Sequence, residues 1–384
     1  MKIEKVFILG NHIQALGLAR LAKKANLEVW VFNNHRASIA RFSNACQHFH
    51  LFRNKEHLLQ LLRNFAGMKN TLLLATNDSL IDFLSVNYKE LSGLYYLSIP
   101  EPGVVDICYN KIHTYRKAME LGIPIPLSHF PVSNEEILNL SDRIKYPVIL
   151  KPAVMHTFHQ VTGKKVLFCP DKETLFRNYA QIIKIIPADE VIVQEFLKGG
   201  AKVLYSFGSF AASGKVYSSL SANRIRQNPM DFGNSTCYAI TVSDPGFEKL
   251  AIKFLHGINY FGMSEVEFMK DPATGTYKML EINPRAWKWH SIANKLDINF
   301  LKEMVDYLDG NEIQPIHNEL IGIGWIERFT DTYIVFKEII HHRMKFKDYW
   351  KTLKVPKESA VWALNDPLPA IMYLLLLPYL FIQR

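Results

Sequence analysis

Cysteine is scarce: Cys46, Cys108, Cys169 and Cys237 are the only four in 384 residues, far apart and with no C-x-x-C pair. That excludes a disulfide framework and reads as free, buried thiols in a reducing compartment. Long apolar runs are also few. The opening M-K-I-E-K-V-F-I-L-G is too short in its apolar stretch for a secretory signal and carries Glu4, so a cytoplasmic location is expected. The run Leu368–Ile382 is interrupted by Pro369 and Pro378. It falls short of the roughly 20 residues a spanning helix needs. Docking on the protein's own core is the plain expectation for it, and a basic, apolar tail lying in a membrane interface is the other. The pattern G-x-G-x-x-G is missing, because Asn11 and His12 follow Gly10. Gly10 and Gly17 alone hint at a dinucleotide turn, so a Rossmann-like scaffold without a cofactor is expected there. The chain shows neither an internal repeat nor a low-complexity segment.

What is present is an ordinary globular balance, 48% hydrophobic and 21% charged, in a chain long enough for two or three domains. Lys and Arg number 45 against 36 Asp and Glu, a net charge of +9. The excess favours anionic partners in general: nucleotide phosphates, anionic lipid or nucleic acid. No interleaving of basic and aromatic residues supports the last, and no nucleic-acid partner is expected. Residues 331–359 are locally basic, with Lys337, Arg343, Lys345, Lys347, Lys351, Lys354 and Lys357 against Asp331, Glu338, Asp348 and Glu358.

The first hundred residues alternate short apolar runs (Val6–Leu9, Glu28–Phe32, Leu72–Ala75) with helical spacing, as at Ile13–Ala25. Strands separated by helices imply a parallel, doubly wound sheet. T-N-D-S after Leu72–Ala75 is a helix-capping composition, so Asn77 and Asp78 serve as caps or as substrate contacts at a strand's carboxyl end. A helix begins at Lys111 and stops at Gly122, before I-P-I-P. Ser133 with Glu136 makes a capping box. Y-P-V-I-L-K-P is a buried strand ending at Lys151, residues 153–163 read as a loop, and V-I-V-Q-E-F-L-K-G-G is a strand that ends in glycines. Residues 202–242 are β-rich, 245–260 helical, and about 296–309 helical again. The second half is α+β.

The stretch V-E-F-M-K-D-P-A-T-G-T-Y-K-M-L-E-I-N-P-R, residues 266–285, places two acids in alternating runs on either side of a turn composition. A turn centred near Ala273 pairs Glu267 with Glu281 or close to it. Opposed side chains stand about 5 Å apart, where two carboxylates repel by roughly 3 kcal/mol at an effective dielectric near 20. Water relieves this on an exposed hairpin; in a cleft a cation has to. Asn283 lies two residues beyond Glu281 and shares its face. Carboxylate, carboxylate and amide are hard oxygen donors suited to magnesium, and Arg285 adds a fixed cation able to hold an oxyanion. A solvated hairpin is the competing reading.

Together these residues resemble the ATP-grasp superfamily. Glu267 and then Glu281-Ile282-Asn283-Pro284-Arg285 look like its metal-binding end. Lys111, Lys151 and the strand V-I-V-Q-E-F-L-K-G-G lie upstream in the family's order, over about residues 105–290. The resemblance implies ATP and magnesium, with manganese as the alternative ion, bound by Glu267, Glu281 and Asn283. It implies Lys111 and Lys151 on the nucleotide phosphates, and Gln194, Glu195, Phe196 and Leu197 at the adenine. S-A-N-R-I-R-Q-N-P-M-D-F-G and E-I-N-P-R-A-W-K-W-H are similar to predicted carboxylate–amine ligases near D-aspartate ligase, a group associated with cell-envelope polymers. By that likeness Arg224 and Arg226 lie over the triphosphate or acyl phosphate, and Arg226, Arg285 and Lys151 are the catalytic set. The alternative for Arg226 is an arginine on a surface loop. Many relatives carry a glycine-rich loop over the phosphates, whereas residues 153–163 offer only Gly163, leaving His156, His159 and Lys164 as side-chain donors. Trp287, Trp289 and His290 border the substrate site or belong to the core.

The expected fold class is α/β and α+β. A Rossmann-like domain (1–105) precedes a two-subdomain ATP-grasp fold, with a lid-bearing small subdomain (106–195) and a large subdomain holding the metal site (196–312). A basic and apolar extension (313–384) follows. The expected activity is ATP-dependent joining of a small-molecule carboxylate to an amine through an acyl phosphate, releasing ADP and phosphate. A nucleotide-binding regulator without chemistry is the alternative. A homodimer, and peripheral membrane contact through the tail, are the expected associations.

Overall fold

The structure, a computed structural model, describes residues 2–231, 233 and 235–382, the side chains of 156, 157 and 378–382 apart. It is a mixed α/β chain built on three sheets. Strands β1 (Lys5–Leu9), β2 (Glu28–Asn33), β3 (His48–Leu51), β4 (Thr71–Ala75) and β5 (Tyr96–Leu97) form a parallel sheet in the order β3-β2-β1-β4-β5. Every residue of β4 is buried, and only the first residues of β1 and β2 are not. That is why their sequences run apolar instead of alternating: helices cover both faces.

The second sheet is antiparallel, with β6 (Ser128–His129), β7 (Val148–Pro152), β8 (Leu167–Cys169) and β9 (Val191–Glu195) in the order β6-β9-β7-β8. Its apolar cluster, which includes Val148, Leu150, Phe158, Leu175 and Val193, is its own. The third and largest sheet takes β10 (Leu204–Ala212), β11 (Lys215–Asn228), β12 (Ser235–Val242), β13 (Gly262–Lys270), β14 (Tyr277–Asn283), β15 (Ile316–His317), β16 (Gly324–Ile326) and β17 (Lys357–Ser359). Its order is β14-β13-β10-β11-β12-β16-β17, with β15 beside β11. The first and third sheets share one core: Leu16 and Ala19 of the helix His12–Lys24 belong to the same cluster as Trp287, Ile292, Phe300 and Leu301. Gly17 makes that contact. A Cβ there would stand 2.5 Å from His290 Nε2, so this glycine serves helix packing and not a dinucleotide turn.

Residues 153–163, expected as a loop, fold into the helix Met155–Thr162 instead. M-H-T-F-H-Q-V-T contains no breaker, Phe158 is fully buried, and Gly163 ends the helix in the left-handed region at φ +65°. The cysteines are free and three of the four are buried. The C-terminal helix Leu368–Ile382 docks on the protein by Ala370 and Tyr373, while Leu368, Ile371, Leu374 and Leu375 on its other side stay exposed. Among the described residues no helix is long and apolar enough to cross a membrane.

Candidate active site

β13 and β14 are joined by the turn D-P-A-T-G-T, in which Gly275 takes φ +72°. The register sets Glu267 opposite Glu281 and Glu265 opposite Asn283, with an irregularity just after Glu267. Alternation then puts three carboxylates and one amide on a single face of the sheet. Lys111, the first residue of the helix Lys111–Glu120, reaches that face and donates to Glu281 Oε2 at 2.5 Å. Arg224 of β11 pairs with Glu267 through Nη1. Asn283 Nδ2 donates to Glu267 Oε1 at 3.0 Å and to Glu265 Oε2 at 3.3 Å, and its Oδ1 accepts from Arg285 Nη2 at 3.2 Å. Arg285 Nε also pairs with Asp78 at 2.6 Å. Asp78 therefore faces the cleft, while its neighbour Asn77 does the capping, accepting from the Leu80 amide.

These groups line one cavity of about 780 Å³ that lies between the first and third sheets. Its near wall is the turn after β1, where Gly10 (φ +115°) passes so close to β4 that a Cβ would meet Thr76 Oγ1 at 2.0 Å. Asn11 and His12 follow it into the cavity wall. The lining carries Lys111, Lys165, Arg224, Arg285 and Lys288 against Asp78, Glu265, Glu267 and Glu281. Five cations against four acids leave the bare cleft near neutrality. A triphosphate entering it would therefore need a cation of its own.

Burial opposes the charge on Glu281, but Lys111, Lys165 and Lys151 outweigh it and hold the carboxyl well below the usual carboxylate range. Burial and the neighbouring Glu267 push Glu265 the other way, up to about 7. Lys165 is lowered by burial, against the pull of Glu281 and Glu267. Glu281 is thus firmly anionic, whereas Glu265 in the next rung titrates close to neutral pH. Among the described residues no set of three or more His, Cys, Asp or Glu is arranged to hold a metal alone. Two opposed carboxylates with an amide on the same face still fit magnesium, which takes one or two carboxylates and completes its shell with phosphate oxygens and water.

The structure brings Lys111, Arg224, Glu267, Glu281, Asn283 and Arg285 together. Lys151 stands just behind them in β7, buried, donating to Tyr115 Oη at 2.5 Å and 4.8 Å from that ring's centre. Arg226 lies elsewhere. It is 1% exposed and bound to Asp331 at 2.6 Å and 2.9 Å, with its guanidinium 4.2 Å from the Tyr238 ring centre. The cause is a pair of register shifts in β11 between Asn223 and Gln227, which break the alternation that would set Arg224 and Arg226 on one face. Gln194, Glu195, Phe196 and Leu197 end β9 outside the 780 Å³ cavity. Gln194 donates to Ser128 Oγ at 2.7 Å, and Glu195 accepts from Lys278 at 2.6 Å. His159 lines the cavity, whereas the side chain of His156 lies outside the described residues. Trp289 borders the cavity and donates to Glu265 Oε1 at 2.8 Å; Trp287 and His290 belong to the core. Glu265 and Lys165 are the cleft residues that sequence reasoning passed over. Glu265 had a signal, the i, i+2 spacing to Glu267 within one strand.

The model for the carbamoyl-phosphate synthase L chain ATP-binding domain matches residues 110–305. The C-terminal section of the carbamoyl phosphate synthase large chain of Methanopyrus kandleri is 23% identical over 226 residues, 57% of this chain and 41% of that protein. The chain therefore spans about two fifths of that relative's length. The biotin carboxylase domain of Hydrogenobacter thermophilus 2-oxoglutarate carboxylase, a dimer solved with MgADP, ADP and bicarbonate, superposes with a TM-score of 0.66 at 16% identity, covering 83% of this chain and 72% of that one. An L-amino acid ligase from Bacillus licheniformis does so at 0.60 and 15%, covering 82% and 78%.

Proposed function

This chain belongs to the family of the carbamoyl-phosphate synthase L chain ATP-binding domain, within the ATP-grasp superfamily, and from that premise we propose that it is an ATP-dependent carboxylate–amine ligase. The observation that supports the reading best is the rung Glu267–Glu281, which lines the cleft and is flanked by Lys111, Arg224 and Asn283. Magnesium held by Glu267, Glu281 and Asn283 would neutralise phosphate oxygens at that rung, and manganese could replace it. Lys111 and Lys151 would hold the phosphates by charge, with Lys165 beside them. Phosphoryl transfer of this kind is mostly positioning and charge neutralisation. Arg224 would release Glu267 and turn to the transferred group. Arg226, tied to Asp331, would steady the strand that carries Arg224.

A carboxylate is a poor electrophile. Its oxygen attacks the terminal phosphorus of ATP, ADP leaves, and the acyl phosphate so formed has phosphate as a good leaving group. The amine nitrogen then attacks the acyl carbon, loses a proton and displaces phosphate, while Arg285 holds the oxyanion. Gln194, Glu195, Phe196 and Leu197 would meet the adenine at the end of β9. The small sheet β6–β9, with a core of its own, would move as a lid that excludes water from the acyl phosphate. A cytoplasmic setting, a role in cell-envelope metabolism and a homodimer complete the reading.

The test is product identity. With magnesium, ATP and a panel of carboxylate–amine pairs, the protein is expected to release ADP and phosphate in step with amide formation. Glu281→Gln is expected to abolish ADP formation while leaving the circular dichroism spectrum of the native chain, with a lowered unfolding midpoint because Lys111 loses its partner. AMP with pyrophosphate overturns the mechanism. Nucleotide binding without turnover of any pair favours the regulator.

A further inference from the structure

We propose that the exposed sides of the three C-terminal helices form a docking surface for an anionic lipid bilayer. The surface starts on the helix Leu368–Ile382. Its docked side seats Tyr373, whose ring lies 5.3 Å from that of Phe329. Its open side presents Leu368, Ile371, Leu374 and Leu375, from 47% to 68% exposed. Phe329 is the first member of a stripe, Phe329, Tyr333, Phe336 and Ile340, spaced by four, three and four along the helix Arg328–Ile340. The last three are each more than half exposed. The two helices enclose an apolar groove of about 280 Å³, walled by Phe329, Val361, Trp362, Ile371 and Leu374. The apolar face is thus continuous from one helix to the other. Monomers rarely leave so much contiguous apolar surface open without a use for it.

The third helix, Phe346–Leu353, buries none of its residues. Phe346, Trp350 and Leu353 form its exposed apolar stripe, and Lys347, Lys351 and Lys354 each follow one residue behind. The acids that would balance this region are turned inward. Asp331 is buried against Arg226, and Glu338 is buried and paired with Arg343. With Arg343 paired to Glu338, what faces outward on and between these helices is Arg328, Lys337, Lys345, Lys347, Lys351 and Lys354 against Asp348 alone.

That charge selects the occupant. A second copy across a two-fold axis would set the same lysines against each other. An anionic headgroup layer complements them, and amphipathic aromatics such as Trp350, Trp362 and Tyr333 suit its boundary with the acyl chains. The helix Leu368–Ile382 has 15 residues. At 1.5 Å per residue its described length is about 22 Å, against about 30 Å of hydrocarbon, and its docked side lies along the protein, so we seat it in the interface. The inference stands independently of the ligase reading.

The full chain is to be floated with vesicles of phosphatidylcholine alone and of phosphatidylcholine mixed with phosphatidylglycerol. Binding to the mixed vesicles, at least about tenfold tighter than to phosphatidylcholine and released by salt, is the expected result. Phe346→Ser with Trp350→Ser is expected to lose vesicle binding of both kinds. Lys347→Glu with Lys351→Glu and Lys354→Glu is expected to lose the preference for anionic lipid. All these positions lie on the helix Phe346–Leu353, which buries no residue, or at Lys354 directly after it, so circular dichroism and the unfolding midpoint are expected to match the parent. Failure to bind either vesicle, binding indifferent to both sets of substitutions, or a concentration-dependent dimer that Phe346→Ser with Trp350→Ser dissolves in place of vesicle binding overturns the proposal.

Discussion

Gly17 shows how one side chain's absence sets a contact between the first helix and the segment around His290. In the middle of an exposed helix, replacing glycine by alanine gains about 1 kcal/mol from backbone entropy. Here the added methyl would stand 2.5 Å from His290 Nε2, and the ring is held by Nδ1 at 2.6 Å from the Trp287 carbonyl oxygen. The imidazole has no cheap retreat, because Trp287 is itself buried to 0% exposure. Overpacking of this kind costs about 1–3 kcal/mol, so the sign reverses. Gly17→Ala is expected to lower the denaturant midpoint, with Lys23→Ala compared to Lys23→Gly, at an exposed position of the same helix, as a control for helix propensity. A raised midpoint would mean that the helix and the segment around His290 move apart without loss. Little of this was legible in the sequence, where Gly17 gave only a hint of a dinucleotide turn that the missing glycine pattern spoke against. A glycine that makes room for a residue 273 positions away leaves no local pattern.

At the scale of elements, β11 decides what the arginines do. Arg224 and Arg226 are two apart and would share a face in a regular strand. The register shifts around Arg226 send one toward Glu267 and the other toward Asp331. Arg226 thereby ties the strand to the helix Arg328–Ile340 through two hydrogen bonds inside the protein. Removing one partner leaves a buried charge alone, at about 3–5 kcal/mol, whereas replacing both by apolar groups is often near neutral. Arg226→Met is therefore expected to be strongly destabilising in chemical denaturation, and Arg226→Met with Asp331→Leu to recover most of the loss. Equal losses for the single and double variants would show that the pair contributes nothing beyond packing. The Glu267–Glu281 rung was readable beforehand because a hairpin with a plain turn composition carries its own register. The bulge in β11 was not, since no glycine or proline marks it, and neither was the helix at Met155–Thr162, whose sequence has no start signal in front of it.

For the whole molecule, stability against pH joins two buried groups on opposite sides of one core. Burial lowers His290 from 6.5 to about 4, and burial pushes Glu303 up from 4.5 to about 7. A histidine kept neutral in the fold costs stability as pH falls, because the unfolded chain takes up a proton below 6.5 that the folded chain refuses until about 4. A carboxyl kept neutral costs stability as pH rises, because the unfolded chain releases a proton above 4.5 that the folded chain keeps until about 7. The windows overlap and the slopes have opposite signs. Between about 4.5 and 6.5 these two effects cancel each other, so this pair adds almost no slope to the midpoint of the parent protein. Glu303→Gln removes one side. Its midpoint is expected to match the parent at the acid end and then climb with pH, ending higher by the equivalent of about 3 kcal/mol above neutrality. Denaturant titrations of both proteins across this range measure it directly. Parallel curves would mean that Glu303 opens to water in the folded state, and then the shared core between the first sheet and the helix Phe300–Leu308 is looser than its burial implies.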